Sequence, residues 1–133
     1  MFDNLQFHHV GYAVKEISAT AKFYVKNGWT ITEEMVDTIQ NTHIAFLKRD
    51  GFPLIELVSP VDNNSPVVNL LDKSGVTPYH LCYSVCNIED AIAELRKDKF
   101  LPLFNPVNAI ALGNRKICYL YNKNVGLIEL VEA

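Results

Sequence analysis

The pentapeptide Leu54-Ile55-Glu56-Leu57-Val58 returns, residue for residue, as Leu127-Ile128-Glu129-Leu130-Val131. Upstream of it, Ile44-Ala45-Phe46-Leu47 aligns without a gap with Ile117-Cys118-Tyr119-Leu120. Nearer the start of each copy, His9-Val10-Gly11-Tyr12-Ala13-Val14 aligns with His80-Leu81-Cys82-Tyr83-Ser84-Val85. The offset is 73 residues at the glutamates and 71 at the histidines, so a two-residue insertion is the only difference in spacing. Two matched ends at nearly one period mark a duplicated module.

Both copies predict the same order of elements. The histidine opens a run of alternating character, which reads as a strand buried on one face. A helix follows. In the first copy Ser18 is the expected cap of a segment through Ala19, Phe23 and Tyr24 that stops near Gly28; in the second, Asn87 caps Ile88 to about Lys97. Three strands then lead to the glutamate: about Thr30 to Val36, Thr42 to Lys48 and Pro53 to Val58, then about Leu101 to Asn105, Arg115 to Tyr121 and Gly126 to Glu132. The fold class is therefore α+β, built of two tandem β-α-β-β-β modules, residues 5–60 and 77–133. Residues 61–76 join them as a linker in which Ser65 caps a short helix with Pro66 at its first position. Each module alone leaves one sheet face uncovered, so the two are expected to pack as one domain.

Bulk properties narrow the function. The chain has 133 residues, 49% hydrophobic and 20% charged, which is the size and composition of one globular domain. Its net charge is -3 and its Lys and Arg residues are scattered, so no basic stripe exists to neutralise a phosphate backbone, and nucleic acid is not expected as a partner. No apolar run is long enough for a membrane span, and Met1 to His9 lacks the order of a secretory signal. A cytoplasmic protein is expected. Cys82, Cys86 and Cys118 are odd in number, form no close pair and read as small buried residues in a reducing compartment.

The chemistry follows from parity. His9 shares a strand face with Gly11 and Ala13, and His80 shares one with Cys82 and Ser84, whereas Val10, Tyr12, Leu81 and Tyr83 lie opposite. Glu56 and Glu129 sit in the middle of apolar strands, facing away from Ile55, Leu57, Ile128 and Leu130. A carboxylate there is costly unless it is paired or bound to a metal. Two imidazoles and two carboxylates at symmetric places suit one divalent transition ion such as zinc, nickel, cobalt or manganese, with positions left open for a substrate.

The stretches His8-His9-Val10-Gly11-Tyr12-Ala13-Val14, Ile55-Glu56-Leu57-Val58-Ser59-Pro60 with Ser65-Pro66, Tyr79-His80-Leu81 and Gly126-Leu127-Ile128-Glu129-Leu130 resemble the vicinal oxygen chelate superfamily over nearly the whole chain. That superfamily includes methylmalonyl-CoA epimerase, glyoxalase I, extradiol dioxygenases and the fosfomycin and bleomycin resistance proteins. The resemblance is greatest to the epimerase. It implies a curved, mostly antiparallel sheet forming a cup with helices outside, and His9, Glu56, His80 and Glu129 as ligands of one ion. It also implies proton abstraction next to a carbonyl, with a small acyl-CoA or a 2-oxo or hydroxy acid derivative as substrate, in a homodimer.

Where the epimerase pattern places a glutamate base, this chain reads Asp37-Thr38-Ile39-Gln40-Asn41, and Gln40 cannot take a proton. By analogy with glyoxalase I, Glu129 or Glu56 then serves as base. The residues that hold glutathione in glyoxalase I are not evident, since Gly11 or Tyr12 and Pro60 stand at the matching places, although a lactoylglutathione lyase remains the alternative enzyme. A small-molecule-binding or resistance protein of the same fold is the alternative of another class. Substrate contacts are expected from Arg115, in the Leu112 to Lys116 loop, by charge-assisted bonds, and from Gln40 and His43.

Overall fold

The structure, a computed structural model, describes residues 5–133; residues 1–4 of the N-terminal segment read above lie outside the described residues. Among the described residues ten strands and three α-helices run in chain order: β1 (Gln6–Ala13), α1 (Ile17–Lys26), β2 (Thr30–Ile31), β3 (Met35–Asp37), β4 (Thr42–Lys48), β5 (Leu54–Pro60), α2 (Val67–Ser74), β6 (Thr77–Val85), α3 (Ile88–Lys97), β7 (Leu101–Pro102), β8 (Val107–Ala109), β9 (Arg115–Asn122) and β10 (Gly126–Glu132). The α+β class and the repeated module order are those read from the sequence. The chain divides into two compact units, His9–Tyr79 and the residues through His8 with His80–Ala133.

In the first unit β1 pairs in parallel with β5, β4 lies antiparallel on β5, and β2 and β3 share the far edge of β4. A parallel pair needs a crossover, which α1 begins. Val14, Ile17, Ala21, Ala45, Leu47 and Leu57 form the core under α1, flanked by Tyr12, Tyr24 and Trp29. Glu16, not Ser18, occupies the N-cap of α1, and no side chain caps it; Ser18 lies within the first turn and its hydroxyl donates to Glu16 Oε1 at 3.0 Å. The helix ends where Gly28 takes a positive φ of 94° and Trp29 N–H returns to the Tyr24 carbonyl.

The expected strand from Thr30 to Val36 is two strands. Thr32 donates its N–H to the Phe46 carbonyl and accepts the Phe46 N–H on its own hydroxyl at 2.8 Å, so one residue takes up both ladder groups of its partner. The chain leaves the ladder there and rejoins at Met35. Helix α2 belongs to this unit, with Val67 and Leu71 packed on Ala13 and Val58 beside Tyr79. Pro66 is its N-cap rather than its first helical residue, and the buried Ser65 hydroxyl provides no cap, because Pro66 already stands between it and the first turn.

The second unit repeats the plan. β6 pairs in parallel with β10, β9 lies antiparallel on β10, and β7 and β8 share the far edge of β9. Asn87 caps α3 by accepting from Asp90 N–H at 2.9 Å, with Glu89 and Asp90 in the first turn and Arg96 and Lys97 in the last, as the helix dipole favours. Ile88, Ala91, Ile92 and Leu95 pack on Cys118, Leu120, Ile128 and Leu130. The strand expected over Leu101 to Asn105 stops at Pro102, with Pro106 closing the bend that follows, and the chain pairs again as β8, which the sequence reading missed.

Candidate metal and substrate site

Register decides which side chains share a face. Gly11 stands opposite Glu56 across the parallel pair and Phe46 opposite Glu56 across the antiparallel one, so His9, Glu56 and Phe46 lie on one face. Cys82 and Tyr119 flank Glu129 in the same way, which puts His80, Cys82, Glu129 and Tyr119 together in the other unit.

Each unit thus buries one imidazole against one carboxylate. His9 Nε2 lies 3.4 Å from Glu56 Oε1, and His80 Nε2 lies 3.1 Å from Glu129 Oε1. All four residues are at most 3% exposed. The rings are held alike: His9 meets Phe46 edge-on at 5.9 Å between centroids, and His80 meets Tyr119 edge-on at 5.1 Å. The aromatic pair went unnoticed in the sequence, although Phe46 and Tyr119 match at the 73-residue offset and share parity with the glutamates. A nitrogen donor beside a carboxylate oxygen, buried among apolar residues, is half of the donor set a zinc-like ion takes, so these residues fit such an ion.

The other expected site residues divide. Arg115 has the parity of Tyr119 and lies on the Glu129 face of β9. Its Nε donates to the Leu112 carbonyl at 2.8 Å, and Nη2 lies 3.5 Å from His8 Nε2. His43 is placed otherwise than expected. It stands opposite Ser59, on the face shared with Ala45 and Leu47 under α1, and its Nδ1 lies 3.3 Å from Glu34 Oε2. Gln40 is a turn residue: its backbone N–H donates to Asp37 Oδ1 at 2.9 Å and its side-chain amide to Oδ2 at 2.8 Å. Both of its donors hold the Asp37 carboxylate, which is 1% exposed, so Gln40 is engaged within its own turn, whereas His43 lies on the face of β4 opposite that of Phe46 and Glu56.

The duplicated His–Glu pairs on paired modules place the chain in a class. A model of the Glyoxalase/Bleomycin resistance protein/Dioxygenase superfamily matches residues 8–119, and the chain belongs to that superfamily. Among individual proteins, "Methylmalonyl-CoA epimerase, mitochondrial" of Homo sapiens is 30% identical over 133 residues, covering 96% of this chain and 74% of that one. The crystal structure of methylmalonyl-CoA epimerase from Mycobacterium tuberculosis matches with a TM-score of 0.85 at 26% identity, over 96% of this chain and 87% of that one. A variant of the Streptomyces coelicolor methylmalonyl-CoA epimerase, solved in complex with 2-nitronate-propionyl-CoA, has the same fold at a TM-score of 0.84 and 23% identity, over 98% of this chain and 99% of that one. These relatives are enzymes. No helix among the described residues is long and apolar enough to cross a membrane.

Proposed function

We propose that the protein is a divalent-metal-dependent epimerase of the methylmalonyl-CoA type, acting on an acyl-CoA that carries an acidic hydrogen next to a carbonyl. The two units are halves of one domain in this reading, and His9, Glu56, His80 and Glu129 hold one ion in common. One observation carries it: each unit buries a His–Glu pair of the same geometry against an edge-on aromatic ring, at 3.4 and 3.1 Å. Two unrelated buried His–Glu contacts would have no reason to share register, an edge-on aromatic neighbour and contact atoms. The kinship with epimerases favours this chemistry over that of a lyase.

When bound, zinc, nickel, cobalt or manganese supplies electrostatic stabilisation of negative charge developing on a carbonyl oxygen. The remaining roles fall to the chain. Phe46 and Tyr119 fix the imidazole planes and keep water off them. Arg115, oriented by the Leu112 carbonyl, receives the free carboxylate of the substrate through its terminal nitrogens. A carboxylate oxygen of Glu129 or Glu56 takes the α-proton from one face of the substrate, and inversion follows when a proton is returned to the opposite face of the flattened carbon.

The test is exchange of the α-hydrogen of methylmalonyl-CoA with solvent deuterium, followed by mass spectrometry and proton NMR. Exchange that needs a divalent ion and is lost in Glu129→Ala is the expected outcome. A protein that binds no ion and exchanges nothing is instead a small-molecule-binding member of the superfamily.

A further inference from the structure

Cys82 brings a sulfur donor to the ligand face of the second unit where the first unit has none. Its counterpart in the first unit is Gly11, and each stands opposite the glutamate of its own unit. Cys82 is 0% exposed and lies on the His80 face of β6. A nitrogen of His8 and the Cys82 sulfur are within 4.8 Å of each other. His8 is the residue that Arg115 Nη2 approaches at 3.5 Å, so imidazole, thiol and guanidinium gather on one side of the second unit.

We propose that His8 and Cys82 form a thiophilic metal position beside the His80–Glu129 pair, taking soft or borderline ions such as zinc, cobalt or cadmium through one nitrogen and one sulfur. The inference rests on the reading of His80 and Glu129 as metal ligands. Thiolate and imidazole are the donors such ions prefer, and a site that offers both at this separation draws them in with a small side-chain adjustment. As the sulfur–metal bond forms, the thiol proton passes to solvent and no electron is transferred. The other buried cysteine differs. Cys118 lies in the core under α3, its sulfur donates to the Phe104 carbonyl at 3.2 Å, and burial pushes its pKa up to about 11. An ion at His8 and Cys82 draws His8 away from Arg115.

The experiment is a titration with cobalt(II) chloride followed by absorption spectroscopy. It is run on the full chain carrying Cys86→Ser, which removes the exposed thiol. A sulfur-to-cobalt charge-transfer band in the near ultraviolet is expected, absent in the further variants Cys82→Ser and Cys82→Ala. His8→Gln should weaken cadmium binding by about ten- to a hundredfold. Cobalt that binds with visible ligand-field bands and no sulfur band overturns this inference alone, and needs no variant in the sheet to do so. Failure to bind cobalt at all overturns the four-ligand reading with it. Circular dichroism of each Cys82 variant separates a lost ligand from a lost fold.

Discussion

Replacing His80 with alanine takes one proposed ligand from the second unit only, and the outcome discriminates one shared ion from two separate half-sites. Four-ligand structural zinc sites bind with about 10–16 kcal/mol, so one ligand accounts for roughly 3 kcal/mol, or about two orders of magnitude in Kd. At a hundredfold excess over Kd the bound ion adds about 2.7 kcal/mol to stability. For 133 residues the unfolding entropy is about 0.28 kcal/mol per kelvin, so metal loading raises Tm by about 10 °C. Calorimetric titration with zinc on a Cys82→Ser background, which removes the second proposed position, and melting with and without a chelator measure both quantities. A shared ion gives a stoichiometry of one per chain, and His9→Ala and His80→Ala each abolish the metal-dependent rise in Tm. A stoichiometry of two falling to one in either variant, or a Tm indifferent to the chelator, refutes the sharing.

Arg115→Ala should raise KM for methylmalonyl-CoA by about ten- to a hundredfold, the worth of one charge-assisted pair, while zinc affinity holds, as steady-state kinetics beside calorimetry will show. Leu130→Ala, in the core under α3 and 0% exposed, should cost about 3 kcal/mol in urea denaturation with no change in slope. Asn87→Ala removes the α3 cap and should cost about 1 kcal/mol by the same assay. Iodoacetamide near pH 8 should label the exposed Cys86 and leave Cys118 unmodified. With its pKa pushed up to about 11, the Cys118 thiolate is scarce until the pH approaches that value, and peptide mass spectrometry reads the difference.

Much of this was legible because the duplication doubled the signal. Glu56 or Glu129 alone is an acid in an apolar strand; together, at one offset with His9 and His80, they announce paired modules and a candidate ligand set. Parity then placed the histidines correctly with Gly11 and Cys82. It also held the means to place His43, which shares parity with Ala45 and Leu47, but only the β4–β5 register shows that this face lies under α1. The breaks were not legible. Thr32 reads as an ordinary strand residue until its hydroxyl is seen to replace a ladder carbonyl, and Gln40 reads as a site residue until both its donors are found on Asp37. Local side-chain to backbone bonds of that kind leave no periodic trace.

The division of the chain into units does not fall at the boundary of the repeat. Residues through His8 group with the second module, and Tyr79, the last residue before the second histidine, packs in the first unit against Val58 and Val67. Cutting the polypeptide in the loop around Asn64 therefore yields fragments that each carry a piece of the other's unit, the residues through His8 in one and those after the cut through Tyr79 in the other. Neither is an independent miniature of the ancestor that was duplicated. Mixed together, such fragments should regain structure as a complementing pair, each supplying the piece the other's unit lacks.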